Sequence, residues 1–175
     1  LDAYTRSADC YYMMKDFAKA GTMYDNMINN ALPQSDYAMY QKAMIAGIKN
    51  SAEKIRILNA ISRQYPKSTM LEDINMEIAL TYMADEKFKD AVPYLNNIIS
   101  SNSNEAGGLK PRAYLKLGLA YYNSNNNQEA LTAYQQLIQK YPQSSESEEA
   151  LGIIKNIYVE EGKPNEYLEL MRKNG

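Results

Sequence analysis

The stretch PRAYLKLGLAYYNSNNNQEALTAYQQLIQKYPQS, residues 111–144, decides the fold. Two apolar runs with helical spacing flank a polar segment, Asn123 to Asn127, and Pro142 closes the second run. Gly118 and Ala130 stand twelve residues apart, one on each run. A small side chain on each of two antiparallel helices lets their backbones approach, while large neighbours fill the flanks. Tyr121, Tyr134 and Leu137 are the neighbours placed to do so. Proline cannot continue a helical hydrogen-bond ladder, so Pro142 marks an end. The segment therefore reads as one helical hairpin.

The same spacing recurs on either side. Ala8 and Ala20 are followed by Tyr11, Tyr24 and Met27, and Ala79 and Ala91 by Tyr82, Leu95 and Ile98, at the same offsets. Leu32-Pro33-Gln34-Ser35, Tyr65-Pro66-Lys67-Ser68 and Tyr141-Pro142-Gln143-Ser144 punctuate the chain alike, each with a serine placed to cap the next helix. Short polar turns such as Met14-Lys15-Asp16 and Asp85-Glu86-Lys87 separate paired runs. A single solenoid over 1–175 follows, with hairpins at 1–35, 36–68, 69–106, 107–143 and 144–175. The second helix of the last hairpin is expected to begin near Pro164, a favoured first-turn residue.

Two departures carry expectations of their own. The second hairpin has Lys42 and Lys54 where small residues are expected, and a tight turn around Lys49-Asn50-Ser51, which predicts a looser or rotated pair. The third has Ser103 in place of its closing proline, and the polar segment Ser100 to Gly108 with its two glycines predicts a flexible bend.

Composition narrows the chemistry. The chain has 175 residues, a formal charge of -2, and no histidine or tryptophan, yet 16 tyrosines and 10 methionines. Without histidine no Ser-His or Cys-His pair can form, and the commonest neutral-pH base and metal ligand is missing. Gly107-Gly108-Leu109-Lys110 lacks phosphate-loop spacing. Acidic pairs such as Glu72-Asp73, Asp85-Glu86 and Glu160-Glu161 fall at helix ends or turns, where the helix dipole accounts for many of them. No catalytic residue, cofactor or metal site is expected. Cys10, the one cysteine, reads as a small buried hydrophobe. The absence of a basic stripe speaks against nucleic acid, and no apolar run approaches the roughly 20 residues of a membrane span. Leu1 opens inside a helical pattern, so the sequence reads as an excised piece of a longer protein.

Tyr114, Leu117, Gly118, Tyr121, Ala130, Tyr134, Leu137 and Pro142 fall together on marker positions of the tetratricopeptide repeat, a frame of about 34 residues. The chain resembles that family along nearly its whole length. The resemblance implies an all-α, right-handed α-α superhelix of about five helical hairpins, in which the first helix of each pair lines a concave groove. It places Asp2, Thr5, Asp9, Tyr12 and Met13 of the first hairpin in that groove. The third contributes Asp73, Met76, Leu80, Met83 and Ala84, and the fourth Arg112, Leu115, Leu119, Tyr122 and Asn123. The fifth contributes Glu148, Leu151, Lys155, Tyr158 and Val159. Tyr12, Met83, Tyr122 and Tyr158 lie a third of a turn beyond Tyr11, Tyr82, Tyr121 and Ile157, which belong to the core. A row of Tyr and Met suits an extended or helical peptide.

The expected partner site is accordingly Tyr12, Met76, Met83, Arg112, Tyr122, Asn123, Lys155 and Tyr158, centred on the third to fifth hairpins. The carboxylate clamp known in the family needs Lys and Asn at positions that hold Thr5 and Asp9 here, so that specialisation is absent. YQQLIQKYPQS, residues 134–144, is similar to repeats of bacterial envelope proteins. The expectation is a non-enzymatic scaffold for protein or peptide partners, part of a larger envelope assembly and periplasmic, with a cytoplasmic adaptor as the alternative. Self-association through the solenoid ends, and a glycan or small-ligand module of an outer-membrane uptake system, are the competing readings.

Overall fold

The computed structural model describes residues 2–102 and 108–174. Among these residues ten helices follow one another in pairs: α1 Asp2–Met13, α2 Phe17–Asn29, α3 Ser35–Gly47, α4 Ser51–Gln64, α5 Leu71–Ala84, α6 Phe88–Ile99, α7 Leu109–Asn123, α8 Asn127–Lys140, α9 Ser145–Glu160 and α10 Pro164–Asn174. No strand occurs among the described residues. The last helix begins at Pro164, as its missing N–H and fixed φ favour. Residues 103–107 of the expected bend, Ser103 included, lie outside the described residues. The chain divides within α5 into two compact units, 1–81 and 82–175.

The small residues sit where the pattern requires. Ala8, Ala20, Ala79, Ala91 and Ala130 are fully buried. In the second unit the approach of α7 to α8 is close enough that a Cβ at Gly118 would stand 2.2 Å from the Tyr134 ring. The core of that unit gathers Tyr114, Leu115, Tyr134, Leu137, Ile154 and Ile157. In the first unit Tyr24 and Met27 of α2 pack with Ala8, Ala20 and Ala38.

Four of the five hairpin turns share one geometry that the sequence hides. Lys15, Glu86, Asn125 and Gly162 have φ of 60°, 58°, 60° and 70°. Around each, paired backbone bonds close the helix end, as in Lys15 N to Tyr12 O and Asp16 N to Tyr11 O, both 2.9 Å. These are Schellman closures, which favour glycine at the left-handed residue. Only one of the four is glycine.

The second hairpin turns through Ile48–Asn50 without such a residue, and Asn50 caps α4 by accepting from Glu53 N at 3.0 Å. Lys42 and Lys54 do not loosen it. The Lys54 stem runs over Gly47, where a Cβ would meet it at 2.5 Å, and its ammonium pairs with Glu77 on α5. Lys42 pairs with Asp25 on α2. Both lysines reach neighbouring helices, and Ala38 and Ala43 supply the small, fully buried positions of α3.

Two other expectations are corrected. Cys10 is exposed, because it lies on the side of α1 turned away from Ala8 and Tyr11. Of the linker serines, Ser144 caps α9 by accepting from Ser147 N at 3.2 Å. Ser35 does not cap. It is the first residue of α3, buried, and its hydroxyl donates back to the Met27 and Leu32 carbonyls. Ser68 bonds Asp36 at 2.6 Å and accepts from Met70 N.

Candidate functional site

In the first unit, α1, the start of α3 and the segment leading into α5 flank a cavity of 340 Å³ lined by Thr5, Arg6, Asp9, Gln34, Asp36, Tyr37, Thr69 and Met70. Each wall follows from local structure. The α1 periodicity that buries Ala8 turns Asp9 toward α2, where it accepts from the Tyr24 hydroxyl at 2.6 Å. Burial, with Asp9 beside it, pushes the Tyr24 phenol far up. Asp36 stands in the first turn of α3, where a carboxylate meets the positive end of the helix dipole, and holds Ser68 Oγ. Gln41 Nε2 donates to the Tyr37 hydroxyl at 2.6 Å, one turn along α3. Thr5 Oγ1 donates to Gln34 Oε1 at 3.1 Å, joining α1 to the α3 start.

Farther along, Tyr40 is held up to about 12 by burial and by the Glu77 and Asp73 carboxylates. Tyrosines and carboxylates thus converge on one side of the unit.

The expected partner residues distribute unevenly. In the first unit Tyr12 is half-buried, edge-on to Phe17 with ring centres 5.6 Å apart. Met76 is only 3% exposed and packs inside, so it has little surface to offer a partner. In the second unit Met83 is half-buried while Arg112, Asn123 and Lys155 are exposed. Asn123 Nδ2 bonds back to the Leu119 carbonyl at 2.9 Å. The Tyr122 hydroxyl donates to Glu160 at 2.9 Å, which raises the phenol above its usual range. Tyr122 and Tyr158 both lean on the unit's core. The structure brings these two together with Leu119 and Leu151 around that core.

Gln34, Asp36, Tyr37 and Tyr40 were missed because the second hairpin departs from the repeat spacing. The available signal was the Asp36-Tyr37 pair, with Tyr40 one turn on, directly after the Leu32-Pro33-Gln34-Ser35 mark. No cluster of His, Cys, Asp and Glu able to hold a metal occurs among the described residues. No described helix is long and apolar enough to cross a membrane.

The model of the tetratricopeptide repeat matches residues 2–34 and 112–144, the first and fourth hairpins. Among solved structures, "MamA 41-end from Desulfovibrio magneticus RS-1" is similar at a TM-score of 0.71 and 15% identity, covering 99% of this chain and 92% of that one. "Crystal structure of MamA protein" gives 0.73 and 19% identity over 99% and 88% of the two chains. "Crystal structure of MamA" gives 0.71 and 20% over 95% and 91%. At these identities the likeness establishes the fold, an all-α array of helical hairpins. No curated protein matches by sequence. The repeats and the fold support a protein–protein interaction scaffold.

Proposed function

We propose that this chain of tetratricopeptide repeats is a non-enzymatic scaffold that receives a protein or peptide on the face formed by the first helices of its hairpins. The observation that carries the reading is the cavity between α1, the start of α3 and the segment leading into α5, lined mostly by polar side chains. Burying a helix pair's apolar stripe leaves the rest of each first helix free to vary, and Asp9, Asp36 and Tyr37 stand half-buried at its margin. Arg112, Asn123 and Lys155 do the same in the second unit. The envelope setting and the place within a larger assembly protein rest on the similarity of residues 134–144 to envelope repeats.

A photo-crosslinking residue tests this in the native host. Placed at Tyr37 or Tyr122, it should trap one defined partner, and placed at the exposed Asn26 or Gln136 on second helices it should not. Equal trapping from both sets overturns the assignment. Fractionation of the full-length protein reads the compartment, and recovery in the cytosol would sink the envelope reading.

A further inference from the structure

Within the first unit, cations and anions balance in number but not in place. Residues 1–81 contain nine Lys and Arg (Arg6, Lys15, Lys19, Lys42, Lys49, Lys54, Arg56, Arg63, Lys67) and nine Asp and Glu (Asp2, Asp9, Asp16, Asp25, Asp36, Glu53, Glu72, Asp73, Glu77). Most of the cations are engaged or displayed elsewhere. Lys19 pairs with Asp16, Lys42 with Asp25 and Arg56 with Glu53. Lys15, Lys49, Arg63 and Lys67 are exposed in or beside turns. Arg6, Asp9 and Asp36 line the cavity, and Asp73 and Glu77 of α5 stand beside Tyr40 of α3, with Lys54 bound to Glu77. Asp9, Asp36 and Asp73 accept from no lysine or arginine among the described residues; Asp9 and Asp36 are held only by hydroxyl and amide donors.

These carboxylates lie close to aromatic rings, Asp9 to Tyr37 and Asp73 with Glu77 to Tyr40. Tyr12, Tyr37 and Tyr40 are half-buried on the same side. A partly desolvated carboxylate beside a tyrosine ring offers a cation two attractions at once, a charge and a ring face. The 340 Å³ cavity is large enough for a side chain and too open for an enclosed small ligand.

We infer that the α1–α3–α5 face of the first unit takes an extended peptide bearing lysine or arginine, with the cations seated between Asp9, Asp36 and Asp73 and the rings of Tyr37 and Tyr40. This rests on the scaffold reading and names the partner's chemistry. Charge complementarity selects the occupant: an acidic segment would meet four carboxylates against two cations across that side, and an apolar one would strip water from them without replacing it.

The test is fluorescence anisotropy with three labelled probes of equal length: a peptide alternating Lys and Arg with Ala, its counterpart with Glu for every cation, and a neutral Ser-Leu peptide. The basic peptide should bind alone, and weaken as salt rises. Asp9→Asn, Asp36→Asn and Asp73→Asn together should weaken it by about tenfold or more, three partly screened pairs lost at once. Asparagine keeps an acceptor for Tyr24 and Ser68, and circular dichroism verifies that the variant stays helical. Removing the same charge from the second unit by Glu129→Gln, Glu149→Gln and Glu169→Gln should leave binding unchanged. Equal loss in both triple variants, or binding of all three probes alike, overturns the inference. Selective binding of the neutral peptide, abolished by Tyr122→Ala with Tyr158→Ala, also overturns it while leaving the scaffold reading standing. If no probe binds and photo-crosslinking fails from both faces, the scaffold reading falls as well.

Discussion

Repeats one and four are the same hairpin written twice, since a step of 110 residues carries 2–34 onto 112–144. Tyr24 becomes Tyr134, Ala20 becomes Ala130, and Met27 becomes Leu137, all buried. Among the many positions where they differ, two bear on the contact between the paired helices. Ala8 becomes Gly118, and the ring of Tyr134 occupies the space that a Cβ would need. Asp9 becomes Leu119, so Tyr24 keeps an acceptor while the Tyr134 hydroxyl, fully buried, finds none among the described residues. The frame tolerates this because its stability comes from apolar burial around a small-residue contact, and the polar end of the tyrosine is secondary. Freed from that duty, the position next to the core becomes an acid in one repeat and an apolar residue in the other. The same spacing thus yields a carboxylate-bearing face in the first unit and a leucine-bearing one in the second.

The sharpest way to break the comparison is Gly118→Ala, which copies repeat one onto repeat four. With 2.2 Å to the Tyr134 ring, the new methyl should cost about 2–3 kcal/mol in urea unfolding, the penalty of overpacking a close helix contact. A cost near zero would mean that α8 shifts freely. Next in size is Asp9→Leu, which copies repeat four onto repeat one and strands the Tyr24 hydroxyl. It should destabilise by about 1–3 kcal/mol, and a neutral result would show that Asp9 is dispensable to the fold.

Removing the hydroxyls should give opposite signs. Tyr24→Phe loses a bond to a carboxylate and should cost about 1–2 kcal/mol, whereas Tyr134→Phe relieves a buried unsatisfied group and should be neutral or stabilise by about 1 kcal/mol. Matching losses from the two would place a hydrogen-bond partner on Tyr134. The smallest effect belongs to the turns. Glu86→Gly relieves a left-handed side chain worth about 1–2 kcal/mol but adds unfolded-chain entropy worth about 0.4–1, so a net gain near 0.5 kcal/mol is expected. Gly162→Ala should lose a comparable amount, and thermal melts of the pair read both.

Much of this architecture was legible from residue spacing. Gly118 with Ala130 and Tyr134, and the prolines that close helices, express rules that act within a turn or two of chain. The left-handed turn residues were not legible, because Lys15 and Glu86 adopt a conformation that a Schellman closure enforces and their side chains do not announce. The second hairpin was misjudged for a different reason. Lys42 and Lys54 looked like intruders at packing positions until Asp25 and Glu77 appeared on the helices beside them. Cys10 missed by one residue's rotation about α1, and Met76 turned inward instead of into the groove.

What the sequence determined by itself was the succession of paired helices, the contact points where alanine or glycine lets them meet, and the absence of histidine. Those depend on local periodicity and on composition, which no tertiary arrangement can alter. Only the folded chain decided that Asp9 and Asp36 share a cavity with Tyr37 while Asp73 stands beside Tyr40, that Ser35 turns inward while Ser144 caps, and that one buried tyrosine is satisfied and its twin, among the described residues, is not. Each of these is set by groups from separate helices, whose relative positions are fixed when the apolar stripes pack and not before.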